Sequence, residues 1–416
     1  MSNAPRTRVA VTGLGAISPL ALSWPETWTA LLGGKSGVGP ISRFDASAFR
    51  SRIAGEVRGF AATDYVDAKT ADRLERFELF ALAAAREALR HANLPPGLVP
   101  PERMAVVVGS GVGGIGEIER QYERLRERGP RAISPIGIPK LLANSAAGQI
   151  AIETGAQGFS VCPVSACASG AHALALALDL LRAGRADVVV AGGSEAAITP
   201  LAIGGFCAME ALSLRNDAPE AASRPFDAGR DGFVMAEGSG IAVLETMEHA
   251  AGRGARPLAE LRGAGSSTDA HHRTRPHPDG RGYAQAMTWA LRDAGISPTD
   301  VQYVNAHATS TPVGDEIEAL AVKGVFGSDR DDFLVSSTKS MTGHLLGASG
   351  ALEFAVVVQA LVDQVCPPTI NLERPAKGCE GLDLVAGASR RAAVRNALSN
   401  SFGFGGHNVS LVVGAG

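Results

Sequence analysis

Val164-Ser-Ala-Cys167-Ala-Ser-Gly170 is the stretch on which the reading of this chain turns. A short apolar run stops at Cys167, small residues surround it, and Ala171–Leu181 continues as an Ala/Leu helix. The pattern predicts a strand-to-helix turn with Cys167 at the helix N-terminus, where unpaired N–H groups and the helix dipole favour a thiolate. The helix that follows is apolar on nearly every face and is expected to be buried. A thiol at the start of a buried helix, among residues small enough for close substrate approach, suits a nucleophile better than it suits packing. Cys162, Cys207, Cys366 and Cys379 have no such setting, and a small buried hydrophobe is the simpler reading of each. His172, one turn into the helix, reads as a satisfied structural residue.

Outward from this turn, short β-branched runs alternate with Ala/Leu-rich stretches. Met104–Val108, Asp187–Ala191, Ile241–Glu245, Val301–Asn305, Phe333–Ser336 and Val409–Val413 read as buried strands. Phe77–His91, Ala168–Arg182, Tyr283–Ala294, Glu316–Val325 and Leu352–Asp363 read as helices. Alternation of this kind predicts an α/β fold around a mostly buried sheet. The chain also looks double. Val9-Ala-Val-Thr-Gly-Leu-Gly near the start is echoed by Leu258–Arg262 running into Gly263-Ala-Gly-Ser-Ser. The polar stretch Ala250–Arg256 is a natural break, which divides the chain into halves 1–255 and 256–416 sharing one core. Gly13-Leu-Gly15-Ala-Ile-Ser18 invites a dinucleotide-binding reading, but its third glycine is missing, Pro19 falls where the helix should run, and no acidic residue ends a strand about 20 positions on. A tight turn after the first strand is the better expectation.

The second half supplies partners for the thiol. In Val301-Gln-Tyr-Val-Asn305-Ala-His307-Ala-Thr309-Ser-Thr311-Pro-Val-Gly-Asp315 a strand delivers His307 to its C-terminal end, where α/β folds gather ligands and catalytic groups. Asp315 is expected to cap the next helix, with Glu318 at capping-box spacing. Ser336-Ser-Thr-Lys339-Ser-Met-Thr-Gly343-His344 repeats the plan with a lysine added. Asn400-Ser-Phe402-Gly-Phe404-Gly-Gly406-His407 precedes the last strand with glycines that expose backbone N–H groups, a source of an oxyanion donor. One thiol, two imidazoles, one ammonium and a donor loop suit a reaction that activates a nucleophile and also stabilises an enolate. A hydrolytic Cys-His enzyme needs one base.

Composition narrows the field. The 416 residues are 45% hydrophobic and 19% charged with a net charge of −3, an ordinary globular balance without the basic runs of a nucleic-acid binder. The cysteine count is odd and no pair has metal-ligand spacing, which fits a reducing compartment and no metal site. Met1–Arg8 lacks the apolar core of an export signal, and no uncharged stretch approaches a membrane span. A cytoplasmic protein without membrane or nucleic-acid partners is expected.

Five motifs, in order along nearly the whole chain, resemble those of the β-ketoacyl-acyl carrier protein synthases, most closely the synthase II type. They are Val164–Gly170, Ala222-Ser-Arg-Pro-Phe-Asp-Ala-Gly-Arg-Asp-Gly-Phe233, Asn305-Ala-His-Ala-Thr-Ser-Thr-Pro312, Ser337-Thr-Lys-Ser-Met-Thr-Gly-His344 and Asn400-Ser-Phe-Gly-Phe-Gly-Gly406. The resemblance implies a thiolase-like fold of two similar βα halves in five α-β-α-β-α layers, normally dimeric. It implies that Cys167 takes an acyl chain from acyl carrier protein as a thioester, and that His307 and His344 bind the malonyl thioester and promote loss of CO₂. The enolate so formed would attack the acyl thioester, in fatty-acid elongation or in a type II polyketide or polyene pathway. The backbone N–H groups of Cys167 and Phe404 match the oxyanion hole, and Phe404 also matches the gate between acyl pocket and malonyl site. Lys339 matches the lysine that orders the site, with Glu318 as its expected ionic partner. Thr309 and Thr311 match contacts to the pantetheine arm, Phe402 a substrate contact, and Val112 a wall of the acyl pocket. Lys69 and Arg73, with Arg76, fall near the position where relatives dock the acidic carrier protein, although a solvated basic face explains them as well. No metal or redox cofactor is implied. The partner is acyl carrier protein, and the assembly is a homodimer or a heterodimer with a chain-length partner.

The chain departs from the pattern at Ala308, where most relatives have glycine, and at His407, where many have threonine. Both bear on pantetheine fit and loop motion. Val112 is smaller than the usual isoleucine. Rival readings are an inert chain-length partner, which would lack the cysteine; a thiolase, which would carry a second cysteine near the C-terminus; and a scaffold that keeps only the fold.

Overall fold

The computed structural model describes residues 6–416, so residues 1–5 of the segment weighed as an export signal lie outside the described residues. Among the described residues, eleven strands form one mixed sheet. In chain order they are β1 (Val9–Ile17), β2 (Met104–Gly109), β3 (Ser160–Val161), β4 (Val188–Glu195), β5 (Gly238–Thr246), β6 (Ala259–Thr268), β7 (Tyr303–Asn305), β8 (Leu334–Ser336), β9 (Asp383–Leu384), β10 (Asn396–Gly403) and β11 (His407–Gly414). Across the sheet they run β9-β8-β7-β10-β11-β6-β1-β5-β4-β2-β3. The helices of nine residues or more are α1 (Trp24–Leu32), α2 (Arg76–His91), α3 (Ile115–Arg128), α4 (Ser145–Thr154), α5 (Ser169–Arg182), α6 (Pro200–Ala208), α7 (Arg281–Ala294), α8 (Pro312–Phe326) and α9 (Ser349–Asp363).

The sheet is continuous only through a narrow seam. β1 and β6 pair at Ala10 with Glu260 and at Val11 with Ala259. On one side of the seam α2 and α4 cover the outer face; on the other, α7 covers it with α8 alongside. Helices α5 and α9 pack against each other and against strands of both sides. The result is a five-layer α-β-α-β-α arrangement with the two most buried helices in the middle. Their sequences explain the placement: α5 and α9 are apolar around most of their circumference. The window Leu346–Asp363 is long and apolar enough to cross a membrane, and 83% of it is buried inside the molecule.

The opening glycines do not form the expected tight turn. β1 runs unbroken through Gly13 and Gly15 to Ile17, with a bulge between Val11 and Gly13. The glycines are there because α2 lies on the strand: a Cβ on Gly13 would stand 2.1 Å from the Ala88 carbonyl, and one on Gly15 2.1 Å from the Ala84 carbonyl. The echo in the second half repeats the device. Gly263 and Gly265 of β6 face α7, where a Cβ would stand 2.6 Å from the Ala290 carbonyl and 2.2 Å from the Ala286 carbonyl. A register shift again precedes the glycine pair, opposite Val412 and Val413.

Helix α8 begins earlier than its acidic residues suggested. Pro312 holds its first position and Thr311 the N-cap, because a proline N–H would be unpaired there in any case. Asp315 therefore sits inside the first turn, accepting the Thr311 N–H at 3.2 Å and the Phe226 N–H at 2.9 Å.

Candidate active site

Cys167 lies in the single 3₁₀ turn Ala166–Ala168 that leads into α5. Ala166 takes a left-handed backbone (φ 51°), an uncommon conformation for a residue with a Cβ, and Ser169 holds it. The Ser169 hydroxyl donates to the Ala166 carbonyl at 2.7 Å and accepts the Ser165 N–H at 2.9 Å. His172 is structural, as expected: its Nδ1 lies 2.7 Å from the Ser165 hydroxyl, and burial pushes its pKa down to about 4. The small residues around the turn let other chain segments close over it. A Cβ on Gly403 would stand 2.8 Å from the Ser165 carbonyl.

Burial pushes the Cys167 pKa up to about 11, against the backbone N–H of Phe404 and the charge of Lys339, which pull it down. The backbone N–H groups at the helix start pull towards the thiolate as expected, and burial opposes them. Desolvation of the anion outweighs the donors that surround it.

Two imidazoles face the same space. His307 follows β7 and His344 follows the short helical turn Lys339–Thr342; their ring centroids are 5.4 Å apart and their planes nearly perpendicular. Both are held well below the usual histidine pKa, first by burial and then by Lys339. His344 Nδ1 lies 2.9 Å from the Ser349 hydroxyl at the start of α9, and Phe233 stands edge-on to the ring at 5.3 Å between centroids. His307 Nδ1 is buried without a hydrogen-bond partner among the described residues.

The ionic partner of Lys339 is Glu353, not Glu318. The Lys339 ammonium donates to Glu353 Oε1, and both side chains are almost fully buried. Burial pushes Glu353 up to about 7, opposed by the lysine. Glu318 does other work. Its two oxygens accept the backbone N–H groups of His307 at 2.8 Å and Ala308 at 2.6 Å, and Asn400 Nδ2 donates to it at 3.1 Å. It therefore fixes the backbone that carries His307. Glu353 stands out in the sequence as the one charged residue of the apolar run Ala351–Val362, but nothing in the sequence pairs it with Lys339. Sequence reasoning also missed Tyr283, which stacks on Phe402 at 3.8 Å between centroids. Nor did it find Glu195, whose buried carboxylate accepts the N–H groups of Gly111 at 2.6 Å and Gly347 at 3.1 Å.

A cleft of about 400 Å³ opens over these groups and brings together most of the predicted residues. Cys167, His307, His344, Phe402 and Phe404 line it, with Thr309 and Thr311 on its wall. Phe404 faces Phe206 across it, at 6.5 Å between centroids. Lys339 is buried behind the histidines and acts on them by charge alone. Val112 does not line the cleft; it is 42% exposed. Ala308 is buried in the loop after His307, and the His407 ring lies against Gly405. Lys69 and Arg73 are exposed. Arg76 is committed elsewhere: it pairs with buried Glu237, donates to the Val57 carbonyl and covers the Phe80 ring at 4.5 Å. Among the described residues no group of three or more His, Cys, Asp or Glu could hold a metal ion.

A cysteine at a buried helix start, two neutral imidazoles over one cleft and a five-layer α/β fold define a thiolase-fold acyltransferase of the condensing type. Family comparison makes this specific. The N-terminal domain of beta-ketoacyl synthases matches residues 6–250 and the C-terminal domain residues 258–373. The chain belongs to the beta-ketoacyl synthase family. It is 49% identical to a 3-oxoacyl-[acyl-carrier-protein] synthase 2 of Synechocystis, with 99% of each chain covered. It is 48% identical to the protein of the same name from Coxiella burnetii, with 98% of each covered. Among solved structures, it superposes with a TM-score of 0.92 on a type II polyketide ketosynthase in complex with its acyl-carrier protein, at 35% identity over 99% of this chain and 100% of that one. The ishigamide ketosynthase/chain length factor gives 0.93 at 33% identity, with the same coverage.

Proposed function

We propose that the protein elongates fatty-acyl chains by decarboxylative condensation with malonyl-acyl carrier protein, with Cys167, His307 and His344 as its reacting groups. The observation that carries the reading is the meeting of the Cys167 thiol with two neutral imidazoles in one cleft. In the first step the sulfur of Cys167 attacks the acyl thioester, the acyl–sulfur bond to the carrier breaks, and the thiol proton leaves with the carrier thiol. The backbone N–H groups of Cys167 and Phe404 serve as donors to the oxyanion. Malonyl thioester then enters. His307 and His344 donate to its carbonyl oxygen while the carboxylate leaves as CO₂, and the enolate carbon attacks the acyl group on Cys167. The cysteine sulfur leaves as a thiolate and takes a proton from water, one proton being consumed for each CO₂ released.

Neutral imidazoles suit this step. The 2.9 Å contact between His344 Nδ1 and the Ser349 hydroxyl allows the tautomer in which the hydroxyl donates to Nδ1 and the ring proton sits on Nε2, and the proposed step uses that tautomer to donate into the cleft. Burial, and after it repulsion by Lys339, keeps both rings neutral, and Lys339 also draws the thiol downward. These hydrogen bonds stabilise the enolate oxygen, so the proposed chemistry calls on neither a resident metal nor a redox cofactor.

Carrier-protein docking at Lys69 and Arg73, pantetheine contacts at Thr309 and Thr311, and two similar halves meeting near residue 255 belong to the same reading. So does a homodimer. Helix α3 buries only Glu117, and the segment around it exposes Val112, Ile118, Tyr122, Leu125, Ile138 and Leu142. Among the described residues strand β3 pairs only with β2, which leaves its outer edge for another chain.

The test is mass spectrometry after incubation with acyl-carrier protein of graded chain length, followed by product analysis with malonyl-carrier protein. An acyl adduct on Cys167 and a product longer by two carbons are expected, with neither formed by Cys167→Ala. Absence of the adduct on the wild-type chain refutes the assignment. Iterated products that keep their keto groups would favour the polyketide pathway over fatty-acid elongation.

A further inference from the structure

Ala222–Phe233 is a motif that the proposed chemistry does not use, yet its arginines sit beside the cleft wall. Arg230 is 8% exposed, and its hydrogen bonds go to Thr311, Pro312, Glu316 and Asp227. Its Nε donates to the Thr311 carbonyl at 3.0 Å and its Nη2 to the Pro312 carbonyl. Nη2 also reaches Glu316 at 2.9 Å, and Nη1 returns to the Asp227 carbonyl at 2.9 Å. One planar guanidinium thus clamps two successive carbonyls of the loop that carries Thr309 and Thr311. The same motif grips the residue between those threonines. Ser310 is fully buried in a left-handed conformation (φ 74°), its carbonyl accepting the Gly232 N–H at 3.1 Å and its hydroxyl the Arg224 N–H at 3.0 Å. A non-glycine residue keeps such a backbone only where its surroundings hold it. Thr309 and Thr311 lie on the cleft wall, with Thr309 Oγ1 donating to Thr311 Oγ1 at 3.2 Å.

We infer that Arg230 is a positioning residue for recognition of the substrate's pantetheine arm: it fixes the 309–312 backbone so that the two threonine side chains meet the arm's amide groups. The inference rests on the proposed function, which brings a pantetheine thioester into this cleft. Arg230 acts on binding of the arm and leaves the chemistry at Cys167 alone. Lysine cannot replace it, since a single ammonium does not reproduce the planar fork that reaches both carbonyls.

The test compares acylation of Cys167 by an acyl thioester of pantetheine and by the same acyl thioester of ethanethiol, which has no amide, in the wild type and in Arg230→Lys. Arg230→Lys should lose about tenfold in kcat/KM toward the pantetheine thioester, mostly through KM, and stay within about twofold on the ethanethiol thioester. An equal loss on both substrates would reduce Arg230 to a structural residue and overturn the inference. So would unchanged kinetics on both. Thr309→Val supplies a second variant with the same expected pattern and no change to the clamp. If wild-type Cys167 takes the acyl group from neither thioester, it is the proposed function that fails.

Discussion

At Cys167, residue identity and surroundings pull in opposite directions. The helix start, the Phe404 N–H and Lys339 favour the thiolate, yet burial holds the thiol at about 11. Because that value lies far above neutrality, the reactive fraction grows with pH: alkylation of Cys167 by iodoacetamide, read by peptide mass spectrometry, should rise about tenfold per pH unit between about 7 and about 9. Lys339→Met removes a charge that lowers the thiol pKa, so alkylation should slow at every pH in that range. An unchanged rate would mean that the cysteine does not feel the lysine. The two acids separate by the same reasoning. Glu353→Gln leaves a buried ammonium without its counter-ion, and breaking such a pair costs about 3–5 kcal/mol. Glu318→Gln keeps one acceptor oxygen and loses part of its hold on the 307–308 backbone and Asn400, so it should cost clearly less, about 1–3 kcal/mol. Urea denaturation ranks the two, and the reverse order would restore Glu318 as the lysine's partner.

Among the elements, the glycine pairs of β1 and β6 decide how closely the outer helices approach. Gly15→Ala would push a methyl group into the Ala84 carbonyl of α2, and Gly265→Ala would do the same at Ala286 of α7. Each should destabilise by about 3 kcal/mol or more, since backbone on both sides resists the overpacking. Gly148 in α4 has open space where its Cβ would go, and Gly148→Ala should stabilise by up to about 1 kcal/mol through helix propensity. These glycines also mark how far sequence carries the fold. The six strands and five helices named from periodicity were legible to within a few residues, because burial imposes that periodicity, but β10 and helices α1, α3, α4 and α6 were not read. Gly13 and Gly15 were misread as a turn, since a glycine demanded by a helix across the strand looks the same in sequence as one demanded by a turn. The site divides likewise. Cys167, His307 and His344 announced themselves through small-residue loops at element ends. The partner of Lys339 did not, because 14 positions separate it from Glu353 and the choice over Glu318 is made by packing of α9.

On the scale of the whole molecule, the question is what covers the face around α3. That helix has one buried residue, while Ile138 is 63% exposed and Tyr122 60%. Leaving so many large apolar side chains in water forgoes roughly 25 cal/mol for each Å² that a partner would cover. The open edge of β3 offers backbone hydrogen bonds in the same region of the chain, and a second copy of the protein presents both features to its mate by symmetry. The wild-type protein should therefore elute in light-scattering chromatography at twice the 42.7 kDa chain mass. Tyr122→Asp combined with Ile138→Asp places two charges where apolar contact is expected and should shift the protein to the single-chain mass. Far-ultraviolet circular dichroism of the double variant should match the wild type, because neither side chain belongs to the folded core of one chain. A wild-type protein that runs at the single-chain mass at micromolar concentration would refute the homodimer. If it doubled in mass only after a chain-length partner was added, the heterodimer would take its place.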